Sequence, residues 1–478
     1  MTIMRRTKII ATLGPATDDP KILASVINAG ADVVRINFSH GLPAEHKRRV
    51  EMVRKISAES GKYIGILGDL QGSKNRIKRF KKSPVTLKEG QKFVLDCSMA
   101  TDVGTNKAVG VVYEKLFADV SLGDRLLLDD GQLILEVEQI DGDRIICRVV
   151  MGGKLADNKG INRQGGGLSV PTLATKDREN IVRTAEYGLD WLAVSFVRHA
   201  SDIDEVRKIL CTLGSEAHLV AKIERAEALE NLEAIIDTAD AVMVARGDLG
   251  VEVGYASLTG LQKRIIKLAR TQHKVVITAT QMMESMVNNQ LPTRAEISDV
   301  ANAVMDGTDA VMLSAETAAG NYPVQAVTAM AEVCSGAERY PLVSGRTSRR
   351  LEDRFQFVDE AIAMAVMYTA NHMDVDAIIA LTESGSTVLW MSRVRSDIPI
   401  YAITRHEITL RRMTLYRGVY PIYFDVVYAD VQKMYGDILG KLREQNFIEK
   451  ENLVIVTKGE LLGISGGTNS MKILRVSD

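Results

Sequence analysis

Between His218 and Asp248 the chain carries one lysine and two carboxylates at a spacing that can bring them to one point. Leu219 to Ile223 is a short apolar run bounded by charge, the pattern of a buried parallel strand. Residues two apart on a strand share a face, so Lys222 and Glu224 point the same way where the run ends. A second apolar run, Ala241 to Ala245, delivers Arg246, Gly247 and Asp248 at its own end. If the two strands are neighbours, Lys222, Glu224 and Asp248 converge. A lysine beside two carboxylates able to hold Mg2+ is equipment for stabilising charge on a phosphoryl group or an enolate. The same three residues also read as a salt bridge at a sheet end, and this stretch alone leaves both readings open.

The elements that must position these residues follow a strand–helix rhythm. Lys8 to Leu13, Ala31 to Ile36 and Tyr63 to Leu67 read as strands; helical periodicity lies between them at Asp19 to Asn28 and Ala44 to Ser60, the latter stopped by Gly61. From about Leu70 to Pro171 the helical pattern disappears and short alternating runs take over, at Val85 to Leu95, Lys107 to Val112, Arg125 to Leu128, Leu133 to Ile140 and Arg144 to Val150. A structureless loop of that length is implausible, so an inserted β-rich domain is expected. The rhythm resumes at Thr175, with strands at Trp191 to Ser195, Leu219 to Ile223, Ala241 to Ala245, Val275 to Thr280 and Ala310 to Ser314, and helical spacing over Glu227 to Ile236. About eight parallel strands point to a TIM (β/α)8 barrel. An open doubly wound sheet shares the period, but the strand count and the single long insertion favour the barrel. Polar residues gather where the strands end: Asn37, Ser39, Asp69, Ser195, Glu224, Asp248, Thr280, Gln281, Ser314 and Glu316. Catalytic residues of such barrels lie at those ends.

Tyr340 to Asp353 reads as a polar, basic linker to a further α/β unit, with a helix at Asp359 to His372 and strands at Ala377 to Leu381, Ile398 to Thr404 and Leu453 to Thr457. The expected domains are residues 1–69 and 172–343 for the barrel, 70–171 for a lid, and 344–478 for a C-terminal α/β domain. With 478 residues and a formal net charge of -1, the chain has no global attraction to nucleic acid or anionic membrane. Its four cysteines are scattered without a CxxC pair, which argues against a zinc site or disulfide framework and fits a reducing, cytoplasmic setting. The apolar run near the N-terminus is too short for a signal peptide, and no run approaches membrane-spanning length. Walker A and GxGxxG signatures are absent.

The segments RINFSHG, GDLQG, DNKGIN, AVSFV, AKIE, ARGDLGVE, ITATQMMESM, PTRAE and DGTDAVMLSAETAAGNYPV occur in this order, and TESGST follows near the C-terminus. This order resembles that of the pyruvate kinase family over essentially the whole chain, most nearly its bacterial type II. The resemblance implies a TIM-barrel domain, a β-barrel lid inserted after the third strand and a C-terminal regulatory α/β domain. It implies Mg2+-dependent phosphoryl transfer from phosphoenolpyruvate to ADP, giving pyruvate and ATP, in a cytoplasmic homotetramer, with Mn2+ able to substitute. By the same resemblance Lys222 lies against the transferring phosphoryl group. Glu224 and Asp248 are the Mg2+ ligands. Gly247, Asp248 and Thr280 form the substrate carboxylate pocket. Arg35 and Arg76 reach phosphates, Asn37, His40 and Lys159 lie towards the nucleotide, and Thr280 and Ser314 stand near the proton route to the enolate. Arg35 also reads as the partner of a barrel carboxylate, Thr280 and Ser314 as hydroxyls satisfying backbone groups, and His40 as a structural cap. The cluster Met282, Met283 and Met286 reads as core.

The family's K+ site corresponds to Asn37, Ser39, Asp69 and Leu70. At position 74 a family glutamate accompanies K+ dependence and a lysine K+ independence, so Lys74 implies a tethered ammonium in place of the ion. Thr382, Ser384, Gly385, Ser386 and Thr387 resemble the family's effector loop, which implies a phosphosugar or AMP as effector. Ser73 and Asn75 depart from the family pattern at the lid hinge, and Tyr255 stands where relatives often carry a small or acidic residue. Two rivals stand beside the kinase: another Mg2+-enolate barrel, an aldolase or lyase, which needs neither Lys222 nor the lid, and a catalytically silent sensor of phosphosugars.

Overall fold

The computed structural model describes residues 4–340, 355–425, 431–459 and 466–477. The expected linker and the 343/344 boundary lie outside or at the edge of the described residues.

Eight strands close a parallel barrel in chain order: Lys8–Thr12, Val33–Asn37, Gly65–Asp69, Trp191–Val194, His218–Ile223, Ala241–Ala245, Val275–Ala279 and Ala310–Leu313. These runs are β-branched and apolar because both faces are covered, and most of their residues are fully buried. The first strand pairs with the last, Lys8 beside Ala310, which excludes the open-sheet alternative. The strands His218–Ile223 and Ala241–Ala245 are neighbours, with Lys222 in register with Met243. The expected helix over Glu227 to Ile236 is instead two, Ala226–Glu230 and Leu232–Thr238. Asn231 breaks it, its side-chain amide donating to the carbonyls of Arg198 and Glu227.

One regularity recurs at the amino ends of the strands. Asp32, Asp190, Asp240 and Asp309 each immediately precede a barrel strand, and each carboxylate accepts the backbone N–H that opens a neighbouring strand or lies one residue inside it. The acceptors' partners are Ile9 (2.8 Å), Ile66 (2.8 Å), Leu219 (2.7 Å) and Val276 (2.8 Å). Asp376 does the same for Leu453 in the C-terminal sheet (2.8 Å). A backbone group that would otherwise be buried without a partner is thereby satisfied.

Between the third and fourth barrel strands the inserted segment forms a six-stranded sheet and a two-stranded ribbon around its own core of Phe93, Leu126, Leu135, Cys147 and Val149. The expected single strand from Val85 to Leu95 is two, Val85–Leu87 and Lys92–Asp96, turned at Gly90 with φ +79. The six-stranded ladder does not itself close. Its two end strands, Ala108–Gly110 and Ile161–Arg163, are spanned by single bridges from Ile77 to Val111 and from Arg76 to Gly160. The C-terminal sheet places Val419–Tyr423, Ile400–Thr404, Ala377–Leu381 and Leu453–Gly459 in parallel, with Thr468–Arg475 as an antiparallel edge.

By packing, the chain falls into two units. One holds residues 1–68, 187–192 and 269–478; the other holds 69–186 and 193–268. Among the described residues no helix is long and apolar enough to cross a membrane.

Candidate active site

In the unit that contains the lid, the strand His218–Ile223 ends with Lys222 pointing to one carboxylate from its own strand end and one from the strand Gly65–Asp69. The Lys222 ammonium lies 2.9 Å from Glu224 Oε1 and 3.2 Å from Asp69 Oδ1, and donates to Ser195 Oγ at 2.6 Å. Ser195 Oγ in turn donates to the Leu70 carbonyl at 2.8 Å. Glu224 is buried and accepts the Phe196 N–H at 2.8 Å. Burial pushes its carboxyl up from the ordinary value; Lys222 pulls it down and the negative charge of Asp248 adds to the rise.

A carboxylate pair of this kind has the oxygen ligands that a hard cation takes. Among the described residues no group of three or more His, Cys, Asp or Glu side chains is spaced to hold a metal ion. Two carboxylates with room for phosphate oxygens and water are what Mg2+ ordinarily uses, whereas a full protein cage would suit other ions better. Glu224 and Asp248 therefore fit Mg2+.

Asp248 sits in the first turn of the helix Arg246–Val253, with Gly247 before it, where main-chain N–H groups favour an anion. Its Oδ1 receives the Lys74 ammonium at 2.7 Å, and Lys74 also reaches Asp130 of the lid at 3.2 Å. Burial opposes the charge on Lys74, but Asp248 and Asp130 outweigh it and hold the ammonium above its ordinary value. The cation facing Asp69 is thus Lys222, while Lys74 faces Asp248. Within the lid, Arg76 donates to the Asn158 carbonyl at 3.0 Å and Lys159 pairs with Asp129 at 2.8 Å.

The other unit holds the remaining expected residues. Arg35 donates to Thr12 Oγ1 at 3.1 Å. Asn37 Oδ1 accepts the Ser39 N–H at 3.1 Å, and its amide lies 3.2 Å from His40 Nδ1. Ser314 opens the short helix Ala315–Ala318, its N–H donated to Glu316 Oε2 at 2.7 Å. The Thr280 hydroxyl donates to the Ala279 carbonyl at 2.7 Å, so it does satisfy backbone. It also stands at φ +66, as Gln281 stands at φ +53. A β-branched residue in the left-handed region is strained, and such strain collects at functional sites. Phe196, just past the end of another barrel strand, repeats it at φ +55.

Three positions had no role assigned from the sequence. Ser195 orients Lys222. Glu316, buried and with its carboxyl pushed up by burial, gathers the N–H groups of Ser314 and Met283. Asp177 is fully buried and holds the lid hinge through the N–H groups of Gln71 (3.1 Å) and Gly72 (3.2 Å). The first two were legible as polar residues at strand ends. Asp177 looks like any acidic residue in a first helical turn.

In the C-terminal loop, Thr382 Oγ1 accepts the Gly385 N–H at 2.9 Å, Ser384 Oγ lies 3.3 Å from Ser386 Oγ, and Thr387 bonds Thr468 at 2.8 Å. Ser386 also donates to Asp359 at 3.3 Å. These hydroxyls bond within the loop and its neighbours.

A parallel barrel with an inserted lid, whose strand ends set a lysine between buried carboxylates, defines an enzyme that handles phosphoryl or enolate charge. Residues 4–327 match the family model for the pyruvate kinase barrel domain, and residues 360–474 the model for the pyruvate kinase alpha/beta domain. The chain is 51% identical over 477 residues to pyruvate kinase II of Salmonella typhimurium, covering 99% of each chain. It is 48% identical to pyruvate kinase of Haemophilus influenzae, covering 95% of this chain and 96% of that one. A crystal structure of a pyruvate kinase from Cryptosporidium parvum superposes with a TM-score of 0.91 at 32% identity, over 98% of this chain and 96% of that one. The chain belongs to the pyruvate kinase family, the phosphotransferases of EC 2.7.1.40, and resembles its bacterial type II.

Proposed function

We propose that this enzyme transfers the phosphoryl group of phosphoenolpyruvate to ADP as a Mg2+-dependent, cytoplasmic step of glycolysis, working as a homotetramer with an effector site in the C-terminal domain. The observation that supports this most is Lys222 held between Asp69, Glu224 and Ser195. In phosphoryl transfer through a loose transition state, the protein chiefly positions groups and neutralises charge. The bond from phosphorus to the enol oxygen breaks as one forms to the β-phosphate of ADP; the enolate left behind takes a proton at carbon to become pyruvate. Lys222 faces the transferring phosphoryl group, and Ser195 fixes the ammonium's direction. Glu224 and Asp248 would hold Mg2+, or Mn2+ in its place, which would supply positive charge to the phosphate oxygens. The N–H groups at Gly247 and Asp248, with Thr280, bind the substrate carboxylate. Arg35, Arg76, Asn37, His40 and Lys159 orient the phosphates and nucleotide, and Thr280 and Ser314 line the proton route.

Lys74, paired with Asp248 and Asp130 rather than with Asp69, supplies from that position the positive charge that K+ brings in the family at the residues matching Asn37, Ser39, Asp69 and Leu70. The Thr382–Thr387 loop takes a phosphosugar or AMP, which shifts the phosphoenolpyruvate saturation curve. The test is pyruvate formation from phosphoenolpyruvate, ADP and Mg2+ in buffer scrubbed of K+, then with K+ restored. Turnover in both is expected. Strong stimulation by K+ removes the role of Lys74 and keeps the kinase; no turnover in either removes the kinase and brings the sensor forward.

A further inference from the structure

Lys74, at the lid hinge, and Tyr255 grip the same turn of the lid. The turn Asp129–Asp130–Gly131 is left-handed throughout, with φ of +51, +54 and +87. The Lys74 ammonium bridges Asp130 Oδ1 on this turn to Asp248 Oδ1 on the helix Arg246–Val253. The Tyr255 hydroxyl, from the start of the next helix, donates to the Asp130 carbonyl at 3.3 Å. Its ring packs against that first helix, close enough that a Cβ added at Gly250 would meet it at 3.1 Å. Lys159 ties the turn's other carboxylate, Asp129, back into the lid at 2.8 Å. The turn is therefore held by two side chains, and one of them is anchored on a carboxylate that the proposed function gives to the metal.

Asp248 Oδ1 is where the two partners compete. An ammonium 2.7 Å from that oxygen and a divalent cation on the same oxygen repel each other at contact distance. We propose that Lys74 is a latch opened by the metal: in the metal-free enzyme it occupies Asp248 and, with Tyr255, holds the lid turn. Entry of the divalent cation displaces the ammonium from Asp248, which unties the turn from the helix Arg246–Val253 at Lys74, leaves Tyr255 as its remaining link to that side and frees Lys74 to face phosphate. This inference rests on the reading of Asp248 as a metal ligand. It gives Tyr255 a positioning role that its residue type alone did not suggest.

The test uses the full chain without phosphoenolpyruvate or nucleotide, with Mn2+ as the probe. Free Mn2+ is read by electron paramagnetic resonance, and amide hydrogen exchange is followed across the Asp129–Gly131 turn. Lys74→Met is expected to bind Mn2+ about fivefold more tightly than the wild type, the scale of one partly buried ion pair removed as competitor. Lys74→Arg, which keeps the pair, is expected to stay near the wild type. Mn2+ is expected to speed exchange in the wild-type turn, and Tyr255→Phe to speed it further while leaving Mn2+ affinity within about twofold. Equal or weaker Mn2+ binding by a folded Lys74→Met overturns the latch. So does a wild-type turn whose exchange ignores Mn2+, a result that needs no variant. None of these readouts uses turnover, so a failure to form pyruvate counts against the kinase and not against the latch.

Discussion

The two ends of the barrel strands carry the same kind of chemistry with opposite permanence. At the amino ends Asp32, Asp190, Asp240 and Asp309 pair with arginines: Arg5 at 2.8 Å, Arg54 and Arg411 at 2.9 and 2.7 Å, Arg207 at 3.1 Å and Arg393 at 2.5 Å. Each of these carboxylates also holds a backbone N–H. At the carboxyl ends Asp69 and Glu224 pair with Lys222, and Asp248 with Lys74. A guanidinium is a planar fork that locks a carboxylate in one geometry; an ammonium is a point charge on a flexible stem that can change partners. Fixed pairs hold the strands together, and exchangeable pairs face the reactants. The fixed set also fastens the C-terminal domain, since Arg393 and Arg411 come from it.

The sharpest way to break this contrast is at Arg393. Its guanidinium donates to both oxygens of Asp309 and to the Lys274 carbonyl, and both side chains are almost wholly buried. Arg393→Ala should cost about 3–5 kcal/mol in chemical unfolding, because it leaves Asp309 charged and buried. Arg393→Lys should recover little of that. A full recovery by lysine would erase the distinction between the two ends.

Glu338 offers a smaller effect that depends on pH. Its carboxylate accepts the N–H groups of Arg6 (2.9 Å) and Thr7 (2.6 Å) and the Thr7 hydroxyl (2.6 Å). Burial alone would raise it, but Arg417, these hydrogen bonds and Arg6 outweigh burial and hold it below its ordinary value of 4.5. A carboxyl depressed by folding stabilises above its unfolded pKa, and that stability is lost as pH falls through the folded value. Glu338→Gln should therefore cost roughly 2 kcal/mol near neutrality and lose part of the acid dependence below about pH 4.5. A variant whose stability falls with acid as steeply as the wild type would show that the Glu338 carboxylate does not contribute to the acid dependence.

At the exchangeable end, Lys74→Glu places a third carboxylate by Asp248 and Asp130. Turnover in K+-free buffer should fall about tenfold and be restored by K+, the scale of one misplaced charge at the reacting phosphates. Equal rates with and without K+ would show that the charge at position 74 does not reach the reaction.

How much of this was legible in the sequence depended on whether a pattern was local. The barrel strands were readable because burial on both faces leaves continuous apolar runs, and Lys222, Glu224 and Asp248 because a period of two fixes which side chains share a strand end. The amino-end aspartates were equally visible in ADVV, LDWL, ADAV and TDAV, but nothing in those words says that the carboxylate reaches a neighbouring strand. The lid was misjudged where single glycines and three-residue strands govern, as at Gly90 and Ile161–Arg163. Asp177, Asp130 and Tyr255 were opaque because their partners lie 105, 56 and 125 positions away. The motif PTRAE is a helix start: Thr293 and Glu296 form a reciprocal cap, and Glu296 also binds Ser285 at 2.7 and 2.5 Å.

The most direct test of the exchangeable end is the turnover number of Lys222→Met with phosphoenolpyruvate, ADP and Mg2+ all saturating, measured beside the wild type. The account predicts a fall of roughly 10²-fold or more in a variant that still folds. Near-normal turnover would contradict it, and would return Lys222 to the salt bridge that its spacing also allowed.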